Sequence, residues 1–252
     1  MSDKAFAGQV GIITGGSSGL GKGIVERLAS EGLTAVIFDT NRDLTTRVEA
    51  EMKEKGYAVD SAVVDISDEE SVSRGFEYVR TKYARLDVLV NSAGITGPTA
   101  DVITNVTRPD FDRVFAINVR GSFLVTKYAV NEMKKRNYGR VMLIASVSGK
   151  EGNATAAAYS ASKAAVIGLA KAVGKEYADT GITINSIAPA TVETPLVLNS
   201  SPDYVQRQVN RIPMLRMGKI EEVAAAIRYA VSPEASFHTG FCFDVSGGRS
   251  TY

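Results

Sequence analysis

Cysteine and histidine are almost missing from this chain of 252 residues, which has one of each, Cys242 and His238. A single cysteine excludes a framework of disulfide bonds within the chain. A single histidine argues against a histidine-based metal site, so no metal is expected. We therefore expect Cys242 and His238 to serve packing, and we expect the chemistry of the chain to rest on other side chains.

Charge of one sign and long apolar runs are missing too. Lysine and arginine together number 29, against 28 aspartate and glutamate residues, and the formal net charge is +1. Without a basic block, neither nucleic acid nor an anionic membrane surface is an expected partner. No apolar run approaches the roughly 18 residues of a membrane span, and residues 1–11 lack the pattern of a signal peptide. A soluble, cytoplasmic protein is expected.

Short runs rich in valine and isoleucine recur along the whole chain, with stretches between them that are long enough for a crossover helix. Such runs are typical of parallel strands that helices cover on both sides. The predicted strands are 10–14, 34–39, 57–65, 86–92, 139–146, 182–189 and 240–245. The pattern predicts an α/β, doubly wound Rossmann fold: a single domain over 1–252 with one seven-stranded parallel sheet and helices on both faces.

The segment 190–218 interrupts this alternation. Its prolines, Pro195, Pro202 and Pro213, favour short helical pieces and turns over one regular element. In doubly wound folds, ligands bind beyond the carboxyl ends of the strands, and this segment follows such an end. We predict that 190–218 is a substrate-covering loop, although an ordinary surface excursion would have the same composition.

A glycine-rich stretch, TGGSSGLG at residues 14–21, follows the first predicted strand. Glycines at such a turn let a phosphate approach the backbone N–H groups at the start of a helix. The residues predicted to contact a cofactor here are Gly15, Ser17, Ser18, Gly19, Leu20 and Gly21. The spacing departs from G-x-G-x-x-G, so a purely structural turn remains an alternative. The stretch lacks a G-K-[ST] ending, so a loop that binds a nucleoside triphosphate does not fit.

Polar or glycine positions also close the next strands. Asp39 lies 20 residues after Gly19, where a carboxylate can accept hydrogen bonds from a ribose 2′-hydroxyl. Its neighbours Ser18 and Thr40 are neutral, so a 2′-phosphate would meet uncompensated negative charge, and NAD is predicted over NADP. Asp39 as a simple helix cap is the alternative. Further predicted cofactor contacts at strand ends are Asp65, Ile66, Asn91, Ala93 and Gly94.

A second group of candidate functional residues follows the fifth predicted strand. Ser146 closes a predicted strand, and Tyr159 and Lys163 share one face of an alanine-rich helix over 155–179. A phenol ionises near pH 10, and a neighbouring ammonium favours its phenolate form. Ser146 could then hold a substrate oxygen beside this acid/base. A Tyr/Lys pair at this spacing is common on helices, so it becomes specific only together with the glycine loop.

Together these residues resemble the short-chain dehydrogenase/reductase family over essentially the whole chain. TGGSSGLG is similar to its T-G-x-x-x-G-x-G loop, NSAG to its N-[N/S]-A-G segment, and YSASK with Ser146 to its catalytic residues. The resemblance implies a catalytic set of Asn118, Ser146, Tyr159 and Lys163, in which Tyr159 is the acid/base. It also implies that Tyr159 and Lys163 contact the cofactor, and that Pro189, Val192 and Thr194 hold the nicotinamide carboxamide. Ala190 stands where the family usually has glycine.

The substrate is less sharply indicated. Polar residues just after Ser146 suit a hydroxyl-rich molecule, and the stretch is similar to that of sugar and sugar-acid dehydrogenases in the family. The predicted substrate contacts are Ser146, Ser148, Asn153, Tyr159, Ala190, Arg207 and Arg211. The two arginines could hold a carboxylate, or could simply be solvated helix surface.

Two other functions stay open. A 3-oxoacyl-carrier-protein reductase usually has an arginine where this chain has Ser18, and has further arginines where Asn131 and Lys175 stand. A non-catalytic dinucleotide-binding scaffold usually loses the tyrosine or the lysine. By resemblance, apolar helices in 109–136 and 155–179 imply a homotetramer.

Overall fold

The computed structural model describes residues 4–199 and 201–252. Residues 1–3 and Ser200 lie outside the described residues, including where the predicted ranges 1–252 and 190–218 contain them. The strands are β1 (Val10–Thr14), β2 (Thr34–Asp39), β3 (Val59–Val63), β4 (Val88–Asn91), β5 (Gly139–Ile144), β6 (Ile182–Pro189) and β7 (Cys242–Val245). Most lie inside the predicted bounds and are shorter, because turns take the hydrogen bonds at their ends. For example, Tyr57 N donates to Met52 O instead of joining β3.

Several helices between these strands begin at a residue whose side chain caps them. Asp68, for example, accepts hydrogen bonds from Glu70 N and Ser71 N at the start of its helix. The α-helices are α1 (Gly19–Ser30), α2 (Arg42–Glu54), α3 (Glu69–Tyr83), α4 (Arg108–Phe115), α5 (Ser122–Met133), α6 (Val147–Glu151), α7 (Ala157–Glu176), α8 (Pro195–Leu198), α9 (Pro202–Val209) and α10 (Ile220–Ala230). A π-helical turn, Ala116–Gly121, joins α4 to α5.

All seven strands are parallel and lie in the order β3-β2-β1-β4-β5-β6-β7. The chain therefore winds one way from β1 to β3 and the other way from β4 to β7. Crevices in such sheets open at the carboxyl edge where the order reverses, which here is between β1 and β4. The predicted doubly wound, seven-stranded fold is confirmed.

Helices cover the sheet on both faces, and successive strand residues pack on opposite sides. Ile13 and Ile37 belong to a core with α1, α2 and α10, whereas Ile12 and Val36 belong to a core with α3, α5 and α7. Every residue of β1, β5 and β6 is buried. Only the ends of the strands are therefore left to present polar groups.

The segment 190–218 folds as the prolines predict, into short pieces. It contains α8 and α9, and a parallel bridge between Val192 and Gly218 joins its two ends. The predicted helix over 155–179 is α7, whose bounds are slightly narrower.

Candidate active site

A cleft of about 940 Å³ opens at the carboxyl edge of the sheet. Its walls come from the residues that follow β1, β2, β3, β4 and β5, together with α7 and the start of α8. The predicted site residues that line it are Gly15, Ser18, Gly19, Leu20, Gly21, Asp39, Asp65, Ile66, Ala93, Gly94, Tyr159, Lys163 and Thr194. The structure therefore brings the glycine loop and the Tyr159–Lys163 pair into one cleft.

The glycine loop is compact because its backbone packs on itself and on the next strand. A Cβ on Gly21 would lie 2.1 Å from Gly15 O, and one on Gly15 would lie 2.9 Å from Ala93 Cα. Gly19 has φ +47° and faces the cleft, where the nearest atom to its missing Cβ is the Thr194 methyl at 3.6 Å. The Ser18 side chain makes no capping hydrogen bond to α1. No Ser18 side chain therefore caps the backbone N–H groups at the start of α1 on the side of the cleft, as a phosphate site requires.

Asp39 is held in place at the end of β2. Its Oδ2 accepts from Ser17 Oγ at 2.5 Å and from Ser17 N at 3.3 Å, while its Oδ1 accepts from Asn41 N at 3.2 Å. Ser17 is only 3% exposed and does not line the cleft. The Ser17 hydroxyl, predicted as a cofactor contact, instead orients the carboxylate that faces the cleft.

Asn91 plays a similar supporting part at the end of β4. Its Oδ1 accepts from Thr14 Oγ1 at 2.6 Å, and its Nδ2 donates to Ser122 Oγ at 2.8 Å. Thr14 Oγ1 in turn accepts from Ala93 N at 3.0 Å. Asn91 therefore ties β1, β4 and α5 together behind the cleft, and Ala93 and Gly94 form the lining.

The Asn118 side chain is buried in the π-helical turn. Its Oδ1 accepts from Ile95 N at 2.9 Å, and its Nδ2 donates to Ile95 O at 2.8 Å and to Ser162 Oγ at 3.0 Å. Each of its amide hydrogens is thus engaged. Asn118 fixes the chain beyond Gly94 against α7, and its side chain does not line the cleft.

Tyr159 and Lys163 lie one turn apart on α7. Lys163 Nζ donates to Ile144 O at 2.7 Å and lies 5.8 Å from the centroid of the Tyr159 ring. Burial lowers the pKa of the Lys163 ammonium to about 8. A Cβ on Gly94 would lie 3.4 Å from Nζ, so glycine leaves room for the lysine under the cleft.

Ser146 follows β5 and starts α6. Its Oγ accepts from Ser148 N at 3.1 Å, and this bond does not use its hydroxyl hydrogen. Ser146 is 9% exposed, and its neighbour Ala145 lines the cleft. The hydroxyl is thereby anchored by one acceptor bond and keeps a donor for another group.

The remaining predicted contacts lie away from the cleft lining. Pro189 is buried at the end of β6, Ala190 N donates to Val245 O at 3.1 Å, and Val192 is in the bridge to Gly218. Arg207 on α9 and Arg211 beyond it are exposed.

The polar residues after Ser146, which include the predicted substrate contacts Ser148 and Asn153, do not line the cleft. Ser148 is buried, and its Oγ accepts from Asn153 Nδ2 at 2.6 Å. Lys150, Glu151 and Asn153 all contact the last residues of the chain. These side chains therefore hold α6 in place, through Asn153 and through the last residues of the chain.

Several lining residues were not predicted from the sequence: Phe38, Thr40, Val64, Ser92, Ile95, Thr96, Arg113, Ile117, Ile144, Ala145 and Pro195. Most are neighbours of predicted residues at strand ends, so the strand bounds could have identified them. Arg113 and Ile117 come from α4 and the π-helical turn, and only the packing of those elements brings them to the cleft.

Two kinds of site are not found in the described part of the chain. In residues 4–199 and 201–252, no three His, Cys, Asp or Glu side chains cluster closely enough to hold a metal ion. Within the same residues, no helix has the length and apolar character needed to span a membrane.

Comparisons with known proteins define the class. A family model described as "Enoyl-(Acyl carrier protein) reductase" matches residues 15–250. The chain is 40% identical to a 2-dehydro-3-deoxy-L-rhamnonate dehydrogenase (NAD(+)) of Sphingomonas sp. over 98% of this chain and 97% of that one. It is 36% identical to a 3-oxoacyl-[acyl-carrier-protein] reductase of Thermotoga maritima over 96% of this chain and 97% of that one.

A solved structure of NAD+-bound xylitol dehydrogenase superposes with a TM-score of 0.91 at 32% identity, covering 96% of this chain and 99% of that one. The chain belongs to the short-chain dehydrogenase/reductase family. It is accordingly an oxidoreductase.

The buried lysine generates a prediction about stability and pH. The unfolded chain keeps an ordinary lysine pKa of 10.5, whereas the folded value is about 8. Between these values only the unfolded chain holds the proton, so stability rises with pH there. Below pH 8 the folded chain bears the full cost of the buried ammonium, about 3 kcal/mol from this difference.

We therefore expect Lys163→Met to be more stable than the unmodified chain at pH 7, by up to about 3 kcal/mol, and the gap to close toward pH 10. Urea unfolding at both pH values measures it. Loss of the bond to Ile144 O offsets part of the gain. Lys171→Met, on an exposed position of α7, is the control and should show no such gap. If Lys163→Met is no more stable than the unmodified chain at pH 7, the lowered pKa of Lys163 is contradicted.

Proposed function

We propose that the protein interconverts a secondary alcohol and a ketone with NAD(H), and that its substrate is a sugar acid, a sugar or a polyol. One observation carries the reaction type: the Tyr159–Lys163 pair lies in the same cleft as the glycine loop and Asp39. A phenol beside a buried ammonium suits proton transfer, and a bare helix start suits a pyrophosphate. The cleft thus offers both functions side by side.

The residues present fit a dinucleotide. Gly19 lines the cleft at the start of α1 with φ +47°, which favours glycine, and Gly15 and Gly21 allow the tight turn behind it. At the other end, Asp39 presents a carboxylate that Ser17 and Asn41 already orient. A carboxylate accepts from a ribose 2′-hydroxyl and repels a 2′-phosphate, which supports NAD over NADP. The names of the rhamnonate and xylitol dehydrogenases, which include NAD, support the same choice.

The side chains divide the proton chemistry. A bound nicotinamide would supply the hydride acceptor or donor. Tyr159 takes the proton from the substrate hydroxyl, or returns it, and the Lys163 ammonium favours the phenolate. Ser146, with a hydroxyl hydrogen left to donate, holds the substrate oxygen. Asn118 maintains the chain around Gly94 through Ile95.

The other predicted contacts complete this assignment. We assign Asp65, Ile66, Asn91, Ala93 and Gly94 to the cofactor side, with Asn91 acting through Thr14 and Ala93. Thr194 faces Gly19 and lines the cleft, which supports a nicotinamide-side role for the stretch from Pro189 to Thr194.

The substrate class rests mainly on similarity to the rhamnonate dehydrogenase, whose name describes an oxidised sugar acid. The segment 190–218 supplies Thr194 and Pro195 to the cleft wall. We propose that this segment covers the substrate, and that Arg207 and Arg211, exposed in the present arrangement, approach a carboxylate when it closes. Ser148 and Asn153 support this side of the site from behind α6.

A 3-oxoacyl-carrier-protein reductase is the second candidate, favoured by the 36% identity to the Thermotoga enzyme. Against it, the neutral Ser18 lines the cleft next to Asp39, an unfavourable setting for the 2′-phosphate of NADP. A non-catalytic scaffold is disfavoured because Tyr159 and Lys163 are both present.

We also propose the homotetramer that the family resemblance implies. An open apolar groove between α4, the π-helical turn, α5 and α7 supports a partner subunit there; it is lined by Phe115, Phe123, Ala165 and Leu169 among others. The cytoplasmic location stays a prediction from the sequence.

The substrate class is tested by a panel of sugars, aldonic acids, deoxy-keto sugar acids and polyols at mildly alkaline pH, each with NAD and with NADP. We expect NADH formation with at least one hydroxylated acid, measured as an initial rate. Reduction of an acetoacetyl thioester with NADPH is the parallel assay. If no compound of the panel supports NADH formation and the thioester is reduced rapidly, the protein is a 3-oxoacyl-carrier-protein reductase instead.

The acid/base assignment is tested by Tyr159→Phe. We expect kcat to fall about 1,000-fold, because the variant loses its proton-transfer group. NADH binding, followed by fluorescence, should persist because the glycine loop is untouched. Tyr57→Phe, on a side chain packed against the core beyond α2, is the matched control and should keep full activity. Full turnover in Tyr159→Phe would refute the assignment.

Cofactor choice is tested by Asp39→Ala. We expect the ratio of kcat/KM with NAD to kcat/KM with NADP to fall about 100-fold, since a hydrogen bond to a charged group contributes about 1.5–3 kcal/mol and the repulsion of a 2′-phosphate is removed. Asp43→Asn, an exposed carboxylate in the first turn of α2, is the control and should leave the ratio unchanged. An unchanged ratio in Asp39→Ala would assign cofactor selection elsewhere.

A further inference from the structure

The last residues of the chain hold the helix that starts at Ser146. Lys150 Nζ donates to Asp244 Oδ2 at 2.9 Å, and Arg249 Nε donates to Glu151 Oε2 at 3.2 Å. The Lys150 and Arg249 side chains are only 6% and 8% exposed. The two pairs, each with a buried cation and a partly exposed carboxylate, join α6 to residues 244–252, which we call the C-terminal segment.

Arg249 has a second contact that Lys150 lacks. Its Nη2 donates to Asn153 Oδ1 at 2.7 Å. Asn153 Nδ2 donates to Ser148 Oγ at 2.6 Å, and Asn153 N donates to Ser160 Oγ at 3.0 Å. Asn153 therefore links α6 to α7, and Arg249 sets the orientation of its amide.

Both arms of this link end beside a residue of the proposed chemistry. On α6, Ser148 N donates to Ser146 Oγ at 3.1 Å. On α7, Ser160 directly follows Tyr159 in the chain. Ser148 and Ser160 are 4% and 9% exposed, so water competes little for these bonds. A shift of the Asn153 amide would therefore move the hydroxyl groups of Ser146 and Tyr159 relative to each other.

We propose that Arg249 is a positioning residue, which acts through Asn153 to fix the placement of Ser146 relative to Tyr159. The inference rests on the proposed function, in which these two hydroxyls act on the substrate. The planar guanidinium holds Glu151 through Nε and Asn153 through Nη2 in a fixed fork, a geometry that the point charge of a lysine ammonium does not reproduce. A misplacement of about 1 Å in a reacting group can cost about 100-fold in rate, so even a partial loss of alignment is measurable.

The test compares Arg249→Met, Arg249→Lys and the unmodified enzyme. With the panel compound that is oxidised fastest, we expect Arg249→Met to lower kcat about tenfold and to leave KM for NAD unchanged, because the glycine loop lies elsewhere. Arg249→Lys should restore little, since it keeps the charge but not the fork. Hydrogen exchange of the peptide 146–153 in the cofactor-free enzyme should be faster in Arg249→Met.

Lys150→Met is the matched control, because it removes the other ion pair between α6 and the C-terminal segment without touching Asn153. We expect it to retain kcat. An equal loss in Lys150→Met would mean that any attachment of this segment suffices, which overturns the specific role of Arg249. Unchanged exchange in Arg249→Met, or faster exchange with unchanged kcat, would overturn it as well.

A double-mutant cycle separates positioning from direct substrate contact by Asn153. If Arg249 acts through Asn153, Asn153→Ala and Arg249→Met should lower kcat by similar factors, and the double variant by no more than either. Additive losses would overturn the inference. An unmodified enzyme that oxidises no panel compound contradicts the proposed function instead, and exchange at 146–153 then decides alone whether Arg249 holds Asn153.

Discussion

Helices on both faces of the parallel sheet impose the constraint on which the rest of the molecule depends. Because every residue of β1, β5 and β6 is buried, polar groups are expensive along the strands and gather where the strands end. All strands run the same way, so these ends meet at one edge. The cleft, with Asp39 on one side and Tyr159 on the other, is a consequence of this arrangement.

A second level of organisation lies behind the cleft. Ser17, Asn91 and Asn118 are almost fully buried, and each forms hydrogen bonds that hold another part of the site. Buried polar groups must be paired, so a strand end rich in polar residues needs such internal partners. The side chains that face the cleft are therefore held in position by these buried polar side chains behind them.

Lys163 shows how function and stability oppose each other in this site. Its buried ammonium donates to Ile144 O and lies 5.8 Å from the centroid of the Tyr159 ring, and burial lowers its pKa to about 8. An apolar side chain would suit the position better for folding alone. The retention of lysine therefore fits the demand of the proposed acid/base chemistry, in line with strained or costly groups at functional sites generally.

The sequence by itself determined the strands, the glycine turn and the Tyr159–Lys163 spacing, because these follow from local periodicity and from the steric freedom of glycine. The doubly wound parallel sheet and about half of the cleft lining followed from the same pattern. Tertiary structure alone decided the directions of Lys150 and Asn153, whose partners in the C-terminal segment lie about 100 residues away along the chain. It also decided that Arg113 reaches the cleft. A side chain's direction depends on which distant groups pack against it, and no local pattern encodes those neighbours.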